Sequence, residues 1–147
     1  MKDSPIQLVL AGPQNAGKST LFNLLTTGYA RPVNYAGSTV DFNKAPLKSE
    51  FSLDATLTDT PGIISLNSHT PEQKLTSDFL YDTKPDLVIA AVDATQLERH
   101  LYPAIQLKEQ GFPVLICITM RDLLEKSSRV LDVKKLESLL GIPIIAV

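Results

Sequence analysis

The stretch Gly12-Pro13-Gln14-Asn15-Ala16-Gly17-Lys18-Ser19-Thr20 decides the fold, because it matches the pattern G-x-x-x-x-G-K-S of a phosphate-binding P-loop. The apolar run at 6–11 precedes it and has the composition of a buried parallel strand. Leu21, Leu24 and Leu25 follow it at helical spacing. A glycine-rich turn can match the pattern by chance, but a strand before the loop and a helix after it favour the P-loop.

The loop predicts how phosphates are bound. Gly12 and Gly17 let the backbone approach a phosphate, and the loop N–H groups and the helix N-terminus then face the anion. Lys18 is predicted to reach the β- and γ-phosphate oxygens, and Ser19 to give its hydroxyl to Mg²⁺. The predicted phosphate-binding residues are Gly12, Asn15, Ala16, Gly17, Lys18, Ser19 and Thr20.

Length, charge and cysteine content limit the classes of protein to which the chain can belong. The 147 residues suffice for one domain whose core needs no disulfide or metal. The net charge is −2 without a run of like charges, so we expect no nucleic-acid partner. Cys117 lies in an apolar run, which predicts a buried thiol in a reducing compartment. Neither a signal peptide nor a membrane-spanning apolar run is visible, and we expect a soluble, cytosolic chain.

Strand and helix patterns alternate along the chain. Apolar runs predict buried strands at 87–92, 113–119 and 143–147, and helical spacing predicts helices at 18–27, 71–81, 97–108 and 133–140. Residues 51–58 alternate with period two, and we pair them with 41–47 in an antiparallel hairpin; residues 31–40 are interpreted as a loop. The prediction is a three-layer α/β fold with a mostly parallel sheet and one antiparallel edge strand. Ligands of such sheets bind beyond the carboxyl ends of the strands.

A second motif, Asp59-Thr60-Pro61-Gly62, ends the alternating segment and matches D-x-x-G. Asp59 is predicted to hold Mg²⁺ through a water molecule, and the Gly62 N–H to bond the γ-phosphate. Thr39, in the loop before the hairpin, is the natural second hydroxyl ligand of Mg²⁺. The alternative is a β-branched residue that opens a strand.

A third segment, Thr119-Met120-Arg121-Asp122, follows a predicted strand where a guanine-reading N-K-x-D would stand. Asp122 can accept hydrogen bonds from N1–H and N2–H of guanine, a pair that adenine does not offer. Thr119 replaces the asparagine, whose amide would bond the base and brace the P-loop. A lost bond costs about 1 kcal/mol, so we expect weaker base binding and reduced guanine selectivity.

In this order the motifs resemble the small-GTPase, Ras-like P-loop fold. Longer stretches are similar to the N-terminal G domain of the bacterial ferrous iron transporter FeoB, of the TrmE-Era-EngA-like group of potassium-activated GTPases. Residues 34–41 resemble its N-x-P-G-x-T-V-E, 70–74 its S-P-E-E-K, 84–88 its K-P-D-V-V, and 92–102 its V-D-A-T-N-L-E-R-N-L-Y. The match continues through 139–143, and the chain departs from the family pattern at Gln14, Ala36 and Thr119.

The resemblance implies a cytosolic G domain followed by a helical regulatory domain and a multi-pass membrane domain that passes Fe²⁺ at the bacterial inner membrane. The similarity ends at Val147, before the last base loop and helix, so we expect residues 1–147 to be a C-terminally incomplete G domain. The implied partners are a guanine nucleotide and the helical and membrane domains of the same polypeptide. The sequence leaves the oligomeric state open, a homo-oligomer included.

The catalytic mechanism must differ from that of Ras-type proteins, which place a glutamine directly after D-x-x-G. Ile63 stands there and cannot orient water. The resemblance implies that Asn15 coordinates K⁺ together with switch I carbonyls near Tyr35 and Gly37, which would neutralise charge developing between the phosphates. Alternatively, Asn15 bonds within the P-loop. We assign switch I to Asn34, Tyr35, Ala36, Gly37, Ser38 and Thr39, switch II to 59–62, and catalytic roles to Asn15, Lys18 and Gly62.

The predicted function is a slow, K⁺-stimulated GTP switch, in which GTP and Mg²⁺ order both switches and hydrolysis to GDP releases them. One alternative is a stand-alone GTPase of ribosome assembly or tRNA modification. Another is a nucleotide-sensing module with negligible turnover, which Ile63 and Thr119 favour. His69 and His100 lack nearby acids or cysteines and are interpreted as surface residues rather than iron ligands.

Overall fold

The computed structural model describes residues 4–28, 30–34, 41–67 and 70–147. This part of the chain contains seven strands and five α-helices. The strands are β1 (Ile6–Ala11), β2 (Arg31–Asn34), β3 (Asp41–Pro46), β4 (Ala55–Asp59), β5 (Leu87–Asp93), β6 (Val114–Thr119) and β7 (Ile144–Ala146). The helices are α1 (Lys18–Leu25), α2 (Pro71–Thr83), α3 (Leu97–Glu109), α4 (Arg121–Lys126) and α5 (Val133–Leu140).

All seven strands form one sheet in the order β2-β3-β4-β1-β5-β6-β7. The pairs from β4 to β7 are parallel, whereas β3 runs antiparallel to both β2 and β4. This confirms the α/β fold with a mostly parallel sheet and an antiparallel edge. The interpretation of residues 31–40 as a loop was wrong for 31–34, which form the edge strand. Pro32 obscured that strand, because proline lacks an N–H and is tolerated only where no ladder bond is needed.

Two apolar clusters pack against opposite faces of the sheet. On one face, α1 places Leu21 and Phe22 against Leu10 and Leu57. On the other face, α2 and α3 bury Leu80, Leu101 and Leu107 against β5 and β6. These two layers of helices around the sheet hold the strand ends in place.

The antiparallel hairpin differs in detail from the prediction. Residues 49–51 form a 3₁₀ helix, and Phe51 and Leu53 are each 45% exposed. The buried positions begin only at Ala55, because the strand starts there. The alternation of apolar and polar residues at 51–53 therefore does not correspond to a strand, and β4 is shorter than predicted. Helix α2 begins with Thr70 as its N-cap and Pro71 in its first turn, and α5 ends at the left-handed Gly141. Leu139 of α5 is 73% exposed although the helical spacing of 133–140 predicts an apolar face.

Among the described residues, no helix is both long and apolar enough to span a bilayer.

Replacing Phe42 by alanine should lower the free energy of unfolding by about 3–5 kcal/mol, because the ring is 1% exposed and the cavity would not collapse fully. Its ring meets that of Phe79 edge to face, with centroids 4.8 Å apart. Phe51→Ala is the matched control and should change stability by less than about 0.5 kcal/mol, since that ring is half exposed. Denaturant titrations measure both; equal losses would contradict the assignment of Phe42 to the core.

Candidate functional site

The glycine-rich loop between β1 and α1 requires glycine for close packing. A Cβ on Gly12 would stand 2.7 Å from the carbonyl oxygen of Ala91, so a side chain cannot fit there. Asn15 adopts a left-handed conformation with φ 64°, and its side chain is exposed at the crest of the loop. The loop then enters α1 at Lys18, and its backbone wraps the N-terminus of that helix. This is the strand–loop–helix geometry that binds phosphate.

Lys18 connects the P-loop to the second motif. Its Nζ donates to the carbonyl oxygen of Thr60 at 3.1 Å and lies 3.5 Å from Oδ1 of Asp59. Burial raises the pKa of the Asp59 carboxyl, and the Lys18 ammonium opposes that rise. Both groups border a cavity of about 620 Å³ together with Ser19 and Gly62. Three predicted ligand groups and the D-x-x-G glycine thus surround one space.

The segment after the second motif is attached to the loop by backbone bonds. The Ile63 N–H donates to the Gly12 carbonyl at 2.9 Å, and the Thr60 hydroxyl donates to the Leu10 carbonyl at 2.9 Å. The Ile63 side chain is fully buried. It therefore lies in the core and cannot contact a water molecule at the phosphates, as its apolar character predicted.

Two glutamines, which sequence reasoning missed, hold the following residues. Oε1 of Gln73 accepts from the N–H groups of Ile64 at 2.8 Å and Ser65 at 3.3 Å. Oε1 of Gln106, on α3, accepts from the Leu66 N–H at 2.9 Å. Gln106 is only 8% exposed, and a buried polar side chain requires a hydrogen-bond partner. A polar residue on the buried face of a predicted helix was the one signal of this contact in the sequence.

The third segment lies at the end of β6. The Thr119 hydroxyl donates to the Ala16 carbonyl at 2.7 Å and is 3.3 Å from the Val92 carbonyl. The expectation that threonine would give up the brace on the P-loop was wrong, because the shorter side chain reaches the loop carbonyl directly. Met120 is left-handed with φ 57°, and Asp122 lies exposed in the first turn of α4. Arg121 pairs with Glu125 at 3.2 Å.

His100 is buried, not a surface residue as expected from the sequence. It is 6% exposed, and its Nδ1 accepts from the Asp93 N–H at 3.1 Å. Burial lowers the pKa of the imidazole; the Asp93 carboxylate raises it and Arg99 lowers it further. Glu98 and Arg99, its neighbours on α3, are exposed. The ring is buried at the end of β5 although its neighbours in the sequence are charged.

The remaining predicted positions separate into two groups. Tyr35, Ala36, Gly37, Ser38, Thr39 and His69 lie outside the described residues, and Asn34 is described only as the last residue of β2. Ser19 and Asp59 supply hard oxygen donors to one cavity, which suits Mg²⁺. Within the described ranges, no three His, Cys, Asp or Glu side chains come together as a metal site.

These features define a P-loop protein of the G-domain class. The family described as ferrous iron transport protein B matches residues 6–147, and the chain belongs to it. Relatives include the Fe(2+) transporter FeoB of Legionella pneumophila, 38% identical over 95% of this chain and 19% of its own length. The FeoB fusion protein of Porphyromonas gingivalis is 36% identical over 95% of this chain and 17% of its own length. The chain thus spans about a fifth of these relatives.

Solved structures agree in fold. A GDP-bound variant of the S. thermophilus FeoB G-domain superposes with a TM-score of 0.89 at 38% identity, covering 97% of this chain and 54% of that one. The FeoB G-domain of Methanococcus jannaschii superposes with a TM-score of 0.79 at 32% identity, covering 98% and 86%. The Ras-like architecture predicted from the motifs is confirmed.

Thr119→Val should lower the free energy of unfolding by about 1–3 kcal/mol, because it keeps the shape but leaves the buried Ala16 carbonyl without its donor. Thr119→Ser keeps the hydroxyl and should recover most of that loss. Urea titrations of both variants test the brace. If Thr119→Val were as stable as the parent chain, the hydroxyl would not brace the loop.

The stability of the chain should fall as the pH drops from about 6.5. The folded-state pKa of His100 lies below its ordinary value of 6.5, so the unfolded chain binds the extra proton first and is favoured as the pH decreases. His100→Asn retains an acceptor for the Asp93 N–H but cannot titrate. Unfolding free energies between about pH 5.5 and 7.5 should show a smaller slope for this variant; an unchanged slope would assign the effect to other groups.

Proposed function

We propose that this domain binds GTP and GDP with Mg²⁺ and hydrolyses GTP, as the cytoplasmic nucleotide switch of a ferrous iron transporter. The observation that carries the proposal is the convergence of Lys18, Ser19, Asp59 and Gly62 on one cavity at the strand ends. Membership of the family and the likeness to GDP-bound G-domains support it.

The P-loop residues Gly12 and 15–20 are proposed to bind the phosphates. The Lys18 ammonium, held by Thr60 and Asp59 at 3.1 and 3.5 Å, can exchange these oxygens for phosphate oxygens at little cost, because both are charge-compatible acceptors. Ser19 and Asp59, with Thr39 from switch I, would hold Mg²⁺, which neutralises phosphate charge when bound. The Gly62 N–H would then bond the γ-phosphate.

K⁺ stimulation is proposed to act through Asn15. The residue sits at the crest of the loop, exposed, and borders the phosphate cavity. Since the buried Ile63 cannot orient the attacking water, catalysis must come from another group. A monovalent cation held by Asn15 and switch I carbonyls would neutralise charge that develops between the β- and γ-phosphates. Turnover without an arginine finger is expected to be slow.

Base selection is assigned to Asp122, exposed at the start of α4. The Thr119 hydroxyl donates its proton to the Ala16 carbonyl, so this side chain has no further donor for the base. Met120 and Arg121 complete the loop and provide contact surface. Together these features favour guanine recognition of reduced affinity and reduced selectivity over adenine.

The whole protein is proposed to be a multi-pass transporter with this domain at the cytoplasmic face of the inner membrane. Relatives about five times as long are named Fe(2+) transporters, which leaves room for helical and membrane domains in the same polypeptide. Nucleotide-dependent movement of switches I and II would change the contacts with those domains and so regulate or drive Fe²⁺ uptake.

A nucleotide-sensing module with negligible turnover is the second candidate. The buried Ile63 favours it, because the residue that positions water in Ras-type proteins has no counterpart at this point of the chain. Membership of the transporter family argues against the stand-alone ribosomal or tRNA-modifying GTPase.

Phosphate release from GTP should rise several-fold when K⁺ replaces Na⁺ at equal ionic strength, and Asn15→Ala should abolish this gain. Asn23→Ala, an exposed asparagine on α1, is the matched control and should respond to K⁺ like the parent chain. ATP in parallel reactions measures base selectivity. Background turnover under every condition would favour the sensing module, whereas a K⁺ gain that survives in Asn15→Ala would overturn the role of this side chain.

A further inference from the structure

Asn43 borders the phosphate cavity from the hairpin side, a position outside every motif in the sequence. It lies on β3, directly opposite Asp59 in the antiparallel ladder with β4. Residues paired in this way point to the same face of a sheet, with Cβ atoms about 4.5–5.5 Å apart. The Asn43 carboxamide is therefore a neighbour of the Asp59 carboxylate.

The face to which Asn43 points is fixed by the rest of β3. Ala45, two residues further along, is 1% exposed and packs in the cluster beneath α1. Phe42, on the opposite face, packs against Phe79 of α2. Because side chains alternate along a strand, Asn43 faces the N-terminal end of α1, where Ser19 lies.

The fold itself makes no use of the Asn43 side chain. The carboxamide is exposed, and it forms no hydrogen bond with any residue in the described ranges. Asparagine is also disfavoured in strands, since it has little apolar surface to pack. Asp59 is predicted to hold Mg²⁺ through a water molecule. The Asn43 carboxamide lies beside Asp59, and its oxygen can accept a hydrogen bond from that water.

We propose that Asn43 is a positioning residue for Mg²⁺, accepting a hydrogen bond through Oδ1 from a metal-bound water shared with Asp59. This inference rests on the proposed function, because it requires Mg²⁺ at Ser19 and Asp59. Mg²⁺ dehydrates reluctantly and keeps several waters, so second-layer acceptors orient its shell. Asn43 itself touches neither the metal nor the nucleotide.

The test is the Mg²⁺ dependence of GDP affinity, measured with a fluorescent GDP analogue in EDTA and across a Mg²⁺ titration. Asn43→Ala should raise the Mg²⁺ concentration for half-maximal effect about 10-fold, the lower end of the range for such partners. Its affinity in EDTA should equal that of the parent chain, which separates metal positioning from a folding defect. Asn43→Asp retains an acceptor and should stay near or below the parent value, and Asn23→Ala should match the parent.

The outcomes are distinguishable. If the parent chain shows no Mg²⁺ dependence, the proposed metal site fails and the inference fails with it. If the parent depends on Mg²⁺ but Asn43→Ala follows the same curve, Asn43 is a solvated strand residue and only the inference is overturned. A loss of affinity in EDTA as large as in Mg²⁺, or an equal shift in Asn43→Asp, would likewise overturn it.

Discussion

The parallel register of the central strands is the constraint on which the site depends. Leu10 of β1 lies opposite Asp59 on one side and Ile89 on the other, and Asp93 of β5 lies opposite Thr119 of β6. Four strands therefore end at the same edge of the sheet, and the loops that follow three of them meet there although they are far apart in sequence. Helices on both faces bury the apolar strand positions and fix this alignment.

Hydrogen bonds between the loops hold them together at the edge of the sheet where the strands end. The P-loop receives a bond from Thr119 at Ala16 and one from Ile63 at Gly12, both from outside the loop. The Lys18 ammonium bonds Thr60 in switch II, and the residues that follow switch II are held by neutral bonds to Gln73 and Gln106. Each neutral bond contributes about 1 kcal/mol, so contacts with a phosphate can replace it. The P-loop is thus bonded from two other loops, and residues 60–66 are held by individually weak bonds.

The sequence predicted the parts whose chemistry depends on local pattern. The P-loop, the D-x-x-G carboxylate and the alternation of strand and helix follow from spacing alone, and all lie where expected. Properties that depend on distant residues could not be predicted. The burial of His100 is set by packing against β5, and the edge strand at 31–34 exists only through pairing with β3. Asn43 lies beside the site because β3 pairs with β4 so that Asn43 is opposite Asp59. The sequence near Asn43 does not indicate this register.

His100 and Thr119 each supply a single hydrogen-bond partner to one backbone group near the site. An asparagine side chain offers both a donor and an acceptor, whereas a backbone group needs only one partner. His100 supplies the acceptor for the Asp93 N–H, and Thr119 supplies the donor for the Ala16 carbonyl. At position 119 the hydroxyl donates to the P-loop carbonyl, and threonine carries no second donor.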